Sequence, residues 1–120
     1  DRWAEELGSG LCVRSTTRQP IAFDMRSRQA EFTAACESFH DAIGEEQLTH
    51  CGSTRFRQHA HNARMAANRW GITVRKEHRE SARKIDAVPA AVLARLARQQ
   101  YLALPASRRR RQRTGRASFL

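Results

Sequence analysis

Nowhere in these 120 residues do eighteen apolar side chains follow one another, and no short apolar run sits behind a basic start. A membrane-spanning helix and a secretory leader are therefore not expected, and neither is a membrane partner. No glycine-rich loop ends in Lys-Ser or Lys-Thr, so nothing supports a nucleotide site. The cysteines are three, Cys12, Cys36 and Cys51, an odd number without the paired spacing of a disulfide framework or a zinc set. That usage points to a reducing, cytoplasmic setting. No segment repeats. The first residue is Asp rather than Met, which leads us to expect a piece of something longer.

Acids are also scarce, 12 against 22 lysines and arginines, for a net charge of +10. Such an excess calls for a polyanionic partner, nucleic acid or an anionic surface. Residues 105–120 hold six arginines and no acid, leaving +4 for the rest. All but two of the cations, Lys76 and Lys84, are arginine. Arginine suits bidentate phosphate contacts, and it is equally what a GC-rich genome encodes.

Periodicity outlines the elements. Arg2 to Leu7 reads as a short helix closed by Gly8 and Gly10. Leu11-Cys12-Val13 reads as a brief buried strand, and Ile21-Ala22-Phe23 as a second extended piece. Arg28 to Ile43 is the clearest helix, with Phe32, Ala35, Cys36, Phe39 and Ile43 on one stripe, Ser27 as N-cap and Gly44 as terminator. Ser53 to about Ala66 is another helix, with Phe56, Ala60, Ala63 and Ala67 aligned. Arg69 to Arg75 alternates as a strand around Trp70, Ile72 and Val74. Lys76 to Arg83 is a charged loop. Ala87 to Leu104 is the last helix, with Val88, Val92, Leu93, Leu96, Ala97 and Tyr101 inward and Pro105 as the stop. The basic tail carries no packing stripe and is expected to be disordered. The class is α/β, but two short strands do not make a stable sheet alone.

The most informative stretch is Arg83-Lys84-Ile85-Asp86-Ala87-Val88-Pro89. A basic loop ends in one acid and a helix starts at once. Asp86 stands where an N-cap belongs, and Pro89 lies in the first turn, where a missing N–H costs little. The same carboxylate, behind a run of cations, suits a hard divalent metal held near a phosphate. Spacing does not choose between these roles. Arg69, Arg75, Lys76, Arg79, Arg83 and Lys84 surround the strand and this loop. They read either as a DNA-backbone contact surface, which positions a duplex without reading its sequence, or as a solvated loop partly neutralised by Glu77 and Glu80. His59 and Asn62 lie one helical turn apart on a shared face and can hydrogen-bond each other or a loop backbone. His61 points away from that face, and His40 and His78 carry no signal.

Leu48-Thr49-His50, His59 with Asn62 and Ala63, Asn68-Arg69-Trp70-Gly71, Lys76-Glu77, Ser81 to Arg83 and Lys84-Ile85-Asp86-Ala87 together resemble, in order and spacing, the C-terminal part of the nuclease domain of phage terminase large subunits. Asp1-Arg2-Trp3 and Phe39 to Ala42 resemble pieces upstream in that family. The resemblance implies an incomplete RNase H-like nuclease domain over residues 1–104, with few strands, three main helices and a disordered basic tail at 105–120. It implies an activity in the parent protein: metal-dependent cleavage of double-stranded DNA during genome packaging, in the host cytoplasm. Asp86 and Asp1 would be the catalytic metal ligands for Mg2+ or Mn2+, and the terminase small subunit and portal would be partners in the assembly. Cys51 departs from the family, which has Asp after the Leu-Thr-His piece. The family's first strands and their acid are missing, so this stretch alone is expected to be inactive. The alternative is a non-catalytic basic DNA-binding remnant of a prophage protein.

Overall fold

The computed structural model describes residues 2–7, 10–15 and 23–109. They fall into two compact units, one of Phe23–Arg98 and one that joins Asp1–Ala22 with Gln99–Leu120.

In the larger unit, α2 (Gln29–Gly44) is followed by α3 (Thr54–Asn62), the strands β1 (Arg64–Asn68) and β2 (Gly71–Arg75), and most of α4 (Ala87–Ala103). The mixed α/β class is as expected. The sheet among the described residues is a single antiparallel hairpin.

The apolar stripe of α2 does what its spacing predicts. Phe32, Ala35 and Cys36 are buried with Val92 of α4, and Phe39, Val74, Leu93 and Leu96 pack around them. Ile43, expected on the same stripe, is 56% exposed. The last turn instead turns Ala42 inward, at 1% exposed, and leaves Ile43 facing outward. Ser27 does not cap the helix. Its hydroxyl donates to the Asp24 carbonyl (3.2 Å), and Arg28 occupies the cap position instead, with its guanidinium on Glu31 (2.6 Å) and over the Phe23 ring (3.9 Å). Gly44 is the last residue of the helix, as expected, although the left-handed position lies beyond it. The chain closes one step later, with Glu46 N–H on the Ile43 carbonyl (3.1 Å) and Gln47 N–H on that of Ala42 (2.8 Å). This is the Schellman pattern, with Glu46 at φ 57° where glycine is usual.

The second helix is shorter than its alanines suggest. Ser53 caps α3 by accepting from Phe56 N–H (3.3 Å), but the helix stops at Asn62 and Ala63 turns extended. Arg64 to Asn68 then pairs with Gly71 to Arg75. A run rich in Ala and Met favours helix intrinsically, and the cross-strand ladder overrides that preference. Asn68 Oδ1 accepts from Trp70 N–H (2.9 Å) and shapes the tip. Gly71 at φ 140° absorbs the turn, where a side chain would be strained and would run into the Glu37 carboxylate.

Polar contacts fix the hairpin on α2. Asn68 Nδ2 donates to the fully buried Thr33 hydroxyl (2.9 Å), Ile72 N–H to Glu37 Oε1 (2.9 Å), and Cys36 Sγ lies 3.8 Å from Thr73 Oγ1. Arg95 of α4 reaches Ser38 of α2 (2.7 Å).

In the smaller unit, α1 spans Arg2–Leu7, with an exposed Arg2–Glu6 ion pair (2.6 Å). Leu11 is irregular and Cys12 and Val13 form a bend, rather than a strand. Three apolar residues with no partner strand cannot build a ladder. A single 3₁₀ turn, Ala106–Arg108, follows α4. Residues 21 and 22 of the second expected extended piece, and 110–120 of the expected disordered tail, lie outside the described residues. No helix among the described residues is long and apolar enough to cross a membrane.

Candidate nucleic-acid interface

The hairpin register puts Arg64 directly opposite Arg75. Like charges facing each other across a ladder are unfavourable. Arg64 relieves this by turning back, its Nη1 donating to the carbonyls of His61 (2.8 Å) and Ala63 (3.1 Å), while Arg75 remains exposed. Arg64 was not among the expected DNA contacts. Only the cross-strand pairing brings it there, and a linear reading that runs the helix to Ala66 hides that pairing.

The loop from Lys76 to Asp86 is built around Ser81, which is 7% exposed. Its hydroxyl donates to Glu77 Oε1 (3.0 Å) and accepts from Arg83 N–H (3.2 Å), and its N–H donates to the His78 carbonyl (3.1 Å). Lys76 Nζ donates to the Ser81 carbonyl (3.4 Å). Lys76 is thus half-buried and braces the loop, rather than standing out as the expected phosphate contact. Glu77 gathers the local charges, with Arg83 Nη1 at 3.6 Å and His78 Nε2 at 3.8 Å. The Ser81 hydrogen bond holds its carboxyl below the ordinary value. Partial desolvation opposes this, and the charges of Arg83, His78 and Arg64 add to it.

Of the six expected cations, Arg75, Arg79, Arg83 and Lys84 are exposed at or after the open end of the hairpin. Arg69 is not with them. It sits at the hairpin tip, stacked over Trp70 at 4.2 Å, separated from Arg75 by the strand's length, about 16 Å.

Two α3 side chains lock the end of the loop. His59 Nδ1 accepts from Ala87 N–H (3.0 Å), and Asn62 Nδ2 donates to the Lys84 carbonyl (3.0 Å). Of the expected alternatives, each other or a loop backbone, Asn62 takes the second at Lys84, while His59 takes the first amide of α4. Between α3 and the loop lies a cleft of about 320 Å³ lined by Gln58, His59, Asn62, Ala82, Arg83 and Lys84. Buried Ile85 anchors the loop beside it.

Asp86 is exposed and immediately precedes α4. Its carbonyl accepts from Ala90 N–H (3.3 Å), as a residue at the cap position does. The first helical amide, however, is held by His59, and among the described residues no hydrogen bond reaches the Asp86 carboxylate. Asp1 lies outside the described residues. No group of three or more His, Cys, Asp or Glu side chains there is arranged to hold a metal. One carboxylate suffices for a magnesium-type ion only when water and phosphate oxygens complete its shell.

No family profile and no solved structure matches the chain. Among curated proteins it is similar to the "Gene 13 protein" of Mycobacterium phage L5, 42% identical over 103 residues, and to the "Gene 13 protein" of Mycobacterium phage D29, 40% identical over 103 residues. Each match covers 85% of this chain and 17% of the relative, so the chain spans about a sixth of the length of these relatives. Phage relatives agree with the expected phage connection. The assignment to terminase large subunits is corrected: the relatives carry a name that states no such function, and no terminase profile matches. The motifs behind that assignment were short, and several have local structural roles here. Asn68 to Gly71 is a hairpin turn, Ser81 is the hub of a loop, and His59 and Asn62 are its locks.

Proposed function

We propose that this stretch binds the phosphate backbone of duplex DNA without reading bases, as one part of a longer phage-related protein. The observation that carries the reading is the gathering of Arg64, Arg75, Arg79, Arg83 and Lys84 around one end of the hairpin and its braced loop, where they outnumber the acids Glu77, Glu80 and Asp86. Cations on a preformed loop contact phosphates with little ordering cost, and phosphate contacts carry no sequence code. The test is the salt dependence of duplex binding in the full chain, with Arg79, Arg83 and Lys84 each changed to Gln. Each lost phosphate contact should reduce the slope of log affinity against log salt by about 0.9. A triple variant with the native slope would place binding elsewhere.

A second reading concerns Asp86. Its carboxylate stands exposed at a helix start whose first amide His59 already holds, and this supports Mg2+ or Mn2+ binding beside a bound phosphate. Added Mn2+ should then broaden the amide resonances of Ile85 to Val88 in the DNA-bound native chain but not in Asp86→Asn. Equal broadening in both would leave Asp86 as a helix-start residue only.

A further inference from the structure

We propose that the cleft between α3 and the 82–84 segment is a subsite for a single phosphate group, received by the His59 Nε2–H between the Arg83 and Lys84 cations. The subsite rests on the backbone-binding reading above and locates one contact within it.

The His59 ring is the starting point. A backbone amide can only donate, so the 3.0 Å contact from Ala87 N–H makes Nδ1 the acceptor. A neutral imidazole with a bare Nδ1 carries its proton on Nε2. The same ring lines the cleft, and among the described residues nothing accepts from Nε2. The result is a donor held in orientation from behind by the start of α4.

The other walls agree. Arg83 and Lys84 bring two positive charges, Gln58 and Asn62 bring side-chain amides, and no lining residue is acidic. Asn62 fixes the Lys84 carbonyl (3.0 Å), and Ser81 fixes the Arg83 amide (3.2 Å), so the backbone carrying both cations is placed before any ligand arrives. Glu77, at 3.6 Å from Arg83 Nη1, is the one carboxylate that competes for that guanidinium. At about 320 Å³ the cleft lies at the small end of ligand sites, enough for a phosphate and its waters. Ala82 is the one apolar side chain among the lining residues.

The test uses His59→Asn in the full chain. The asparagine side-chain oxygen replaces Nδ1 as acceptor for Ala87 but does not reach the Nε2 position. Inorganic phosphate and a short DNA duplex are titrated separately, and the His59 ring and the amides of Arg83 to Ala87 are followed by NMR. Both probes should shift these signals in the native chain, and phosphate should bind His59→Asn at least about tenfold more weakly. Arg83→Gln with Lys84→Gln, at two exposed positions, should show a comparable loss, and it serves as the deciding variant where His59→Asn melts early. Duplex binding that leaves the cleft signals unmoved would overturn the subsite and spare the backbone-binding reading. A cleft response to phosphate without any duplex binding would support the subsite and overturn that reading.

Discussion

Val92→Ala probes the contact on which the larger unit depends. Val92 is 1% exposed and sits where α4 meets Phe32, Ala35 and Cys36 of α2. The substitution removes two methyl groups from the core. Their transfer to water accounts for about 1.6 kcal/mol at about 0.8 kcal/mol per carbon, and the void left behind adds on the order of 1 kcal/mol. A loss of roughly 2.6 kcal/mol is a large share of the stability of so small a unit. At about 4–8 °C per kcal/mol it lowers the midpoint of thermal unfolding by roughly 10–20 °C. Circular dichroism at the helical band measures this directly. Ile43→Ala is the matched control, because Ile43 lies on α2 but is 56% exposed; its midpoint should move by no more than a few degrees. Equal shifts for the two variants would refute the packing of α4 on α2.

Three further outcomes follow from local features. Glu46→Gly should stabilise the chain by about 1 kcal/mol, because glycine adopts the left-handed Schellman position without the penalty paid at φ 57°; a lower denaturation midpoint would contradict this. Glu77 has its pKa depressed in the folded state, so its contribution is present above its ordinary value of 4.5 and is lost as the pH falls below that. Glu77→Gln should therefore be less stable than the native chain at neutral pH, and the two should converge under acid, as read by denaturant midpoints across pH. Burial raises the Cys36 thiol pKa while Cys51 is exposed, so iodoacetamide should label Cys51 well before Cys36 when the adducts are located by mass spectrometry.

What was legible in the sequence was what repeats locally. The Phe32, Ala35, Cys36 stripe predicted the buried face of α2, and Asp86 with Pro89 marked the start of α4 to within a residue. The hairpin was half visible. Ile72 and Val74 alternate as a strand should, whereas Arg64 to Asn68 reads as helix because the ladder that makes it a strand is written three to eleven residues away, in Gly71 to Arg75. The interface divides in the same way. Arg75, Arg79, Arg83 and Lys84 were recognisable as exposed cations, since the loop has no apolar period to hide them. That Lys76 turns inward onto Ser81, and that Arg64 arrives from the other strand, depends on tertiary placement alone. The pairing of Asn62 with loop backbone was among the alternatives readable from its spacing to His59, but the amide and carbonyl the two reach, Ala87 and Lys84, lie more than twenty residues further on.

The Glu37 carboxylate on the Ile72 amide has a consequence for how this hairpin meets other chains. That amide points away from β1, along the rim where another strand would dock, and a charged side chain already occupies it. Natural sheets blunt their rims with such inward charges to discourage stacking between molecules. The two rims of the hairpin are therefore unequal: a newcomer at β2 must first expel Glu37, whereas β1 has no such guard among the described residues. Two copies that paired through β1 would each present only the guarded rim outward. Growth by strand addition would stop at a pair instead of running on into a fibre.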